Sequence, residues 1–237
     1  MTEDDSNKQN TQDPEKSREM LKHYMEQARA NLSGFLDTQG LHLSALGAAM
    51  DRFVSSTLPL PEGAACKTGC AYCCHLRVGV SIPEALIIFN ELKSQATPEG
   101  FAFLKQKVIQ SEQKGNTLEE AFWLSTQTPC PFLDIKGKKT CLIYALRPFS
   151  CRAYHSTDLA ACRTGFEMGH EQQIPCFPLY RAVTDMYTSV FIQVMAQKGL
   201  FSFQVGFVRA LQILFEDDTA ADHWIQGNDV FRSARLS

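Results

Sequence analysis

Cys66-Lys67-Thr68-Gly69-Cys70-Ala71-Tyr72-Cys73-Cys74 places four thiols in nine positions. Four further cysteines follow at Cys130, Cys141, Cys151 and Cys162. Zinc and iron–sulfur centres each demand several anionic soft donors. Short spacings let one loop supply them at a small entropic cost of closure. Gly69 stands immediately before Cys70, where a tight turn needs a residue tolerant of positive φ. Turns of this kind aim backbone N–H groups at sulfur and stabilise thiolate charge. Cys73 and Cys74 project in different directions from extended backbone, so they are more easily shared between two centres than chelated to one. Eight such cysteines satisfy two four-thiolate sites, and one cluster with spare thiols is also open.

Composition agrees with a soluble globular chain. The 237 residues are 44% hydrophobic and 21% charged, enough to bury a core without staples. A net charge of −3 gives no reason to expect nucleic acid or an anionic membrane as partner. The polar, acidic start lacks the basic head and apolar run of a secretory signal, and no apolar stretch approaches the ~18 residues of a membrane span. The expected location is therefore the cytosol, where structural disulfides are rare and dense cysteine spacing points to metal or redox chemistry. The count of nine cysteines, being odd, also excludes full pairing within one chain.

Outward from the cysteines, the pattern is helical. Residues 1–16 read as a disordered tail. A helical pair over 17–58 follows. Its first helix places Leu21, Tyr24, Met25, Ala28 and Leu32 on one face. Gly40 breaks it, and Leu43, Leu46, Met50, Phe53 and Val54 mark the second. Residues 59–178 form the cysteine-cluster domain. Within it, 75–80 reads as extended. Ser81-Ile82-Pro83-Glu84 has capping-box spacing and opens a helix to about 95. Another helix spans about 97–114, and a second capping box at 117 opens a short helix with Phe122, Trp123 and Leu124. Cys130 and Cys141 flank a small hairpin turning at 136–139. Cys162 sits on a loop or short helix, and 165–178 is irregular. C-terminal helices over 179–237 pack on this domain, at about 179–197, 203–215 and 220–225. The fold class is mostly α with a small irregular cysteine-rich metal core.

Bound thiolates carry charge that a partly buried site must balance. Arg147 and Arg152, beside Cys151, suit that role; Lys67 and Arg163 are further candidates. His75 and His155 could replace a thiolate, though soft metals prefer sulfur. His23, His42, His170 and His223 read as surface or packing residues. Cys176 stands outside the pattern and reads as a small hydrophobe. Tyr144, Tyr154, Phe201, Phe203 and Phe207 read as packing residues. GxGxxG after a strand, Walker A, HExxH and GxSxG motifs are absent from the sequence. The first three cysteines share a radical-enzyme spacing, but a fourth is fused to it and no β/α alternation follows.

At these residues the chain resembles the YkgJ-type CxxCxxCC cysteine-cluster proteins, whose shared domain is described as zinc- or iron-chelating. Cys66, Cys70, Cys73 and Cys74 match the first block. Cys130, Cys141 and Cys151 with Arg147-Pro148 match the second, and Cys162 matches the last cysteine. The resemblance covers about 66–162. It implies metal binding through these eight cysteines, by an iron–sulfur cluster ([4Fe–4S] foremost) or zinc. Members are commonly labelled iron–sulfur proteins or oxidoreductases without a substrate. One relative, the flagellin lysine N-methylase, carries a similar cluster. Three readings follow: an iron–sulfur protein in redox or protein-modification chemistry, a structural zinc-binding interaction module, and, by analogy alone, a protein lysine methyltransferase. The partner is a protein or protein substrate that the sequence does not identify, and catalytic residues are not assigned.

Overall fold

The computed structural model describes residues 14–115, 128–168 and 173–236. The expected tail through residue 13, the short helix after 117 with Phe122, Trp123 and Leu124, and His170 lie outside them.

Helix α1 (Pro14–Gln39) ends at Gly40, whose φ of +85° turns the chain. Helix α2 (Leu43–Ser56) then starts from His42, whose Nδ1 accepts the Ala45 N–H at 3.2 Å. Helix α1 docks on the long α7 (Pro178–Gln197) and α2 on α3 (Ile82–Gln95). Ala28, Leu32 and Leu36 of α1 are buried, as are Leu46, Met50 and Phe53 of α2. Phe53 stacks on Tyr187 of α7 with ring centroids 4.6 Å apart. Tyr24, expected on the inner face, is 45% exposed; its nearest ring is that of His23.

The only sheet among the described residues is a two-stranded ribbon. Strand β1 (Gly79–Ser81) pairs antiparallel with β2 (Gln204–Gly206), Val80 opposite Val205, both fully buried. Residues 204–206 were expected within a helix over 203–215. Pairing with β1, and the Phe207 N–H donating to the Val78 carbonyl at 2.9 Å, hold them extended. Helix α8 therefore covers Phe207–Glu216 alone. Tertiary pairing here overrides local helix propensity.

Ser81 caps α3 with the expected reciprocal box: its side chain accepts from the Glu84 N–H, and the Glu84 carboxylate accepts from the Ser81 N–H. Helix α4 (Pro98–Gly115) packs on α8 through Phe101, whose ring lies 4.9 Å from Phe215 and 5.8 Å from Phe89 of α3. Helix α5 (Phe149–Ala153) is a short turn against α7. Helix α6 (Leu159–Met168) starts where the Asp158 carboxylate accepts the Ala160 and Ala161 N–H groups. It runs through Gly165, so the irregular stretch expected from 165 begins later. Helix α9 (Ala220–Ile225) seals the far end with a buried Trp224, whose indole N–H donates to the Phe201 carbonyl at 2.7 Å. Phe201 itself is 44% exposed, unlike the buried Phe207. No helix among the described residues is long and apolar enough to cross a membrane. The fold is mostly α, with all nine cysteines lying between α2 and α7 along the chain.

Candidate metal centre

Four pieces of chain bring the cysteines together. The first is the loop 66–74. Gly69 has φ +86°, and the bonds Cys70 N to Lys67 O (3.0 Å) and Cys74 N to Ala71 O (3.0 Å) wind it into two tight turns. Residues Tyr72–His75 form a 3-10 turn, so the extended stretch expected from 75 starts only after His75. The second piece is the hairpin: Leu133 bridges Cys141, and the Leu142 N–H donates to Phe132 O at 2.8 Å. The Asp134 carboxylate closes its turn by accepting from the Gly137 and Lys138 N–H groups. The Cys130 N–H donates to the Cys74 carbonyl at 2.6 Å, stitching the hairpin to the loop. The third and fourth are α5, which carries Cys151, and α6, which carries Cys162.

Helix α5 is held by buried polar groups. The Glu84 carboxylate, fully buried, accepts the Phe149 N–H at 3.0 Å as well as the Ser81 N–H and hydroxyl. Burial pushes the Glu84 carboxyl up from its usual range, against the pull of those N–H groups. The Ser150 hydroxyl lies 2.8 Å from the Gly79 carbonyl and 3.1 Å from Asp185 Oδ1 of α7.

All nine cysteines are free thiols. Cys66, Cys70, Cys73, Cys74, Cys130, Cys141 and Cys151 line one cavity of about 800 Å³. Cys162 is buried beside it, close enough that its charge state responds to Cys66, Cys70 and Cys73. Cys176 is apart, in a groove between α1 and α7. Burial pushes the Cys130 thiol up to about 12. Cys151 is raised by burial, then by Cys130, Cys73 and Cys141. Cys73 is raised by its hydrogen bond to Cys74, then by burial. Burial likewise raises Cys70, Cys141 and Cys162. Two groups emerge. Cys73, Cys130, Cys141 and Cys151 all feel one another, whereas Cys70 responds to Cys66 and Cys73, and Cys162 to Cys66, Cys70 and Cys73. Among the described residues, no three His, Cys, Asp or Glu side chains are close enough to hold a single metal ion.

The other candidates sort clearly. The His155 Nε2 accepts the Phe177 N–H at 2.7 Å, and its Nδ1 faces the Ala153 carbonyl at 2.9 Å. Both ring nitrogens are engaged by backbone, so His155 is a core histidine. His75 bonds the Ala71 carbonyl, and it does not line the cavity. Arg163 pairs with Glu167 at 2.7 Å and leaves the thiols alone. Arg147 draws Cys73, Cys141 and Cys151 downward in pKa, and its buried Nε has no hydrogen-bond partner. Its guanidinium lies 3.9 Å over the Tyr144 ring, and Tyr144 is 64% exposed, a cavity wall rather than the packing residue expected. Arg152 donates to the Arg147 and Ala145 carbonyls. Burial and the Arg147 charge both lower its pKa.

Sequence reasoning missed Glu84 as a brace for α5, because its capping role already explained it. It also missed Tyr180, Arg181 and Asp185 of α7, which line the cavity. An Arg–Asp pair at i, i+4 within an otherwise uncharged helix was the available signal.

These donors fit a metal–thiolate centre. They are all sulfur, burial raises the thiols of Cys70, Cys130, Cys141, Cys151 and Cys162, and the Arg147 guanidinium, whose buried Nε has no hydrogen-bond partner, would offset anionic charge there. A search of the curated proteins and one of the solved structures each found no match. Residues 65–175 match the family model described as CxxCxxCC, "Putative zinc- or iron-chelating domain". Over those residues the chain is similar to the CxxCxxCC family.

Proposed function

We propose that this is a cytosolic iron–sulfur protein acting in redox chemistry. In this reading Cys73, Cys130, Cys141 and Cys151 hold a [4Fe–4S] cluster, and Cys66, Cys70, Cys74 and Cys162 supply a second four-thiolate set. The observation that carries it is the gathering of seven thiols around one cavity of about 800 Å³, with Cys162 buried beside it. A closed structural zinc site uses four thiolates, so this supply exceeds what one such ion needs. All-thiolate donors in this number suit iron–sulfur ligation. When bound, such a cluster supplies one-electron transfer. The chain's own residues do the rest. Burial raises the Cys130 and Cys151 thiols, Glu84 fixes α5 that carries Cys151, and Arg147 offsets the thiolate charge.

The test is metal and acid-labile sulfide content, with a visible spectrum, on protein purified without oxygen. A brown protein absorbing broadly near ~400 nm with iron and sulfide is expected. A colourless protein holding one or two zinc ions would overturn the cluster and select the structural-zinc reading.

A further inference from the structure

The cavity is charged in a way its thiols do not explain. Six Lys and Arg side chains line it, against the single carboxylate of Asp185. Yet the whole chain carries −3. Asp185 already faces the Ser150 hydroxyl at 3.1 Å. Arg147 and Arg152 stand close enough to repel each other, and among the described residues neither makes an ion pair with a carboxylate. Arg181, exposed on α7, lies 5.4 Å over the Tyr154 ring, as Arg147 lies over Tyr144. Two four-thiolate centres of about −2 each, together with Asp185, still leave the cations slightly in excess, and among the described residues Arg181 makes no ion pair with a carboxylate. At about 800 Å³ the cavity also has the size of a small-molecule site, ~300–1,000 Å³, and exceeds what one metal centre fills. Its remaining walls include Leu60, Ile143, Tyr144 and Tyr180, which are apolar or aromatic.

We infer that the cavity binds a small organic oxyanion, a carboxylate or phosphate on an apolar body, between Arg147 and Arg181 beside the thiols. Guanidinium forks match the planar or tetrahedral oxygens of such groups, and the stacked tyrosines hold those forks in place. This builds on the metal reading, since it concerns the positive charge that a metal–thiolate centre leaves over. It names the class of molecule that would meet the centre.

The experiment is calorimetric titration of the anaerobically purified protein with benzoate and with phenyl phosphate in ~0.15 M sodium chloride, where long-range charge is screened. Metal and sulfide are assayed on the same sample. The expected result is saturable binding of at least one probe, weakened roughly tenfold or more by Arg181→Gln and by Arg147→Gln. Arg181 is exposed and is not part of the buried core, so its variant should keep the wild-type melting temperature. Preference for phenyl phosphate or for benzoate assigns the anion, and either supports the site. Absence of saturable binding by both probes overturns it, as does unchanged binding in both variants. Metal-free protein that still binds through these arginines would sink the iron–sulfur proposal and leave this one standing. Metal-loaded protein that binds neither probe would do the reverse.

Discussion

Glu84 connects the hydrophobic core to the cysteines, and Glu84→Gln isolates its role. The carboxylate accepts three hydrogen bonds: Ser81 N–H at 2.8 Å, Ser81 hydroxyl at 2.7 Å and Phe149 N–H at 3.0 Å. Glutamine fills the same space with one carbonyl and one NH₂. If the NH₂ faces Phe149, it meets an N–H donor, and that donor is left buried and unpaired. If it faces Ser81, the same conflict falls on the cap. An unsatisfied buried group costs about 1–3 kcal/mol. Relief of the buried charge offsets part of this, so we expect a net loss of about 2 kcal/mol at neutral pH. In a chain of this size that lowers Tm by roughly 4–8 °C. The pH dependence has a definite sign. Burial raises the folded-state pKa of Glu84 above its ordinary value near 4.5. The folded protein therefore holds that proton more tightly than the unfolded chain. The stabilisation is present in full below the ordinary value and is lost as pH rises through the raised one. Glutamine cannot titrate, so the wild type's advantage over the variant should shrink as pH rises across that window. Because the Phe149 bond seats the helix that carries Cys151, metal affinity should also fall, by roughly 10-fold or more. Circular-dichroism melts across pH 4–8 with metal assays check all three. A variant with the wild-type Tm at every pH and the wild-type metal content would refute the reasoning.

Cys73→Ser should strip most of the metal and cost on the order of 3 kcal/mol or more, because Cys73 couples to both groups of thiols. Cys176→Ser should leave metal content unchanged, since Cys176 lies outside the cavity; elemental analysis of the pair decides this. Metal loading at pH 7 should release about one proton per coordinating thiol, because burial keeps Cys130, Cys141 and Cys151 protonated in the free protein. A pH-indicator titration in weak buffer would contradict this if it showed no release. The same raised thiols stabilise the metal-free fold below their ordinary value near 9.0, and that contribution is lost as pH climbs through the raised values, so metal-free protein should melt earlier at alkaline pH. Gly69→Ala should cost roughly 1–2 kcal/mol and weaken metal binding. Its φ is +86°, while the added Cβ would meet only the Lys138 carbonyl at 3.6 Å, so the cost is conformational rather than steric.

The parts of the fold that were legible in the sequence are those fixed within one turn of chain. The Ser81–Glu84 box, the Gly40 break and the Gly69 turn each follow from residues a few positions apart, and each is present. Strand β2 was not legible. Phe203, Val205 and Phe207 satisfy a helical pattern as well as an extended one, and only the partner strand, some 125 residues earlier by the register in place, decides between them. Tyr144 was misread for a related reason. Aromatic residues beside cysteines are usually core, but here the exposed ring lies under Arg147 at the cavity wall.

The same contrast divides the site itself. The thiols come from a segment whose spacing is local, and the family match over 65–175 covers all eight of the cluster cysteines. The opposite wall comes from elsewhere. Tyr180, Arg181 and Asp185 belong to α7 and Phe207 to α8, all beyond residue 175. They reach the cysteines because β1 pairs with β2 and because Ser150 bonds to Gly79 and Asp185 together. Metal-binding chemistry therefore sits in the matched segment, whereas the surfaces that would choose a molecule to meet the metal come partly from this chain's own C-terminal helices. Substitutions on the cavity face of α7 should alter what binds without removing metal, and substitutions of the cysteines should remove both.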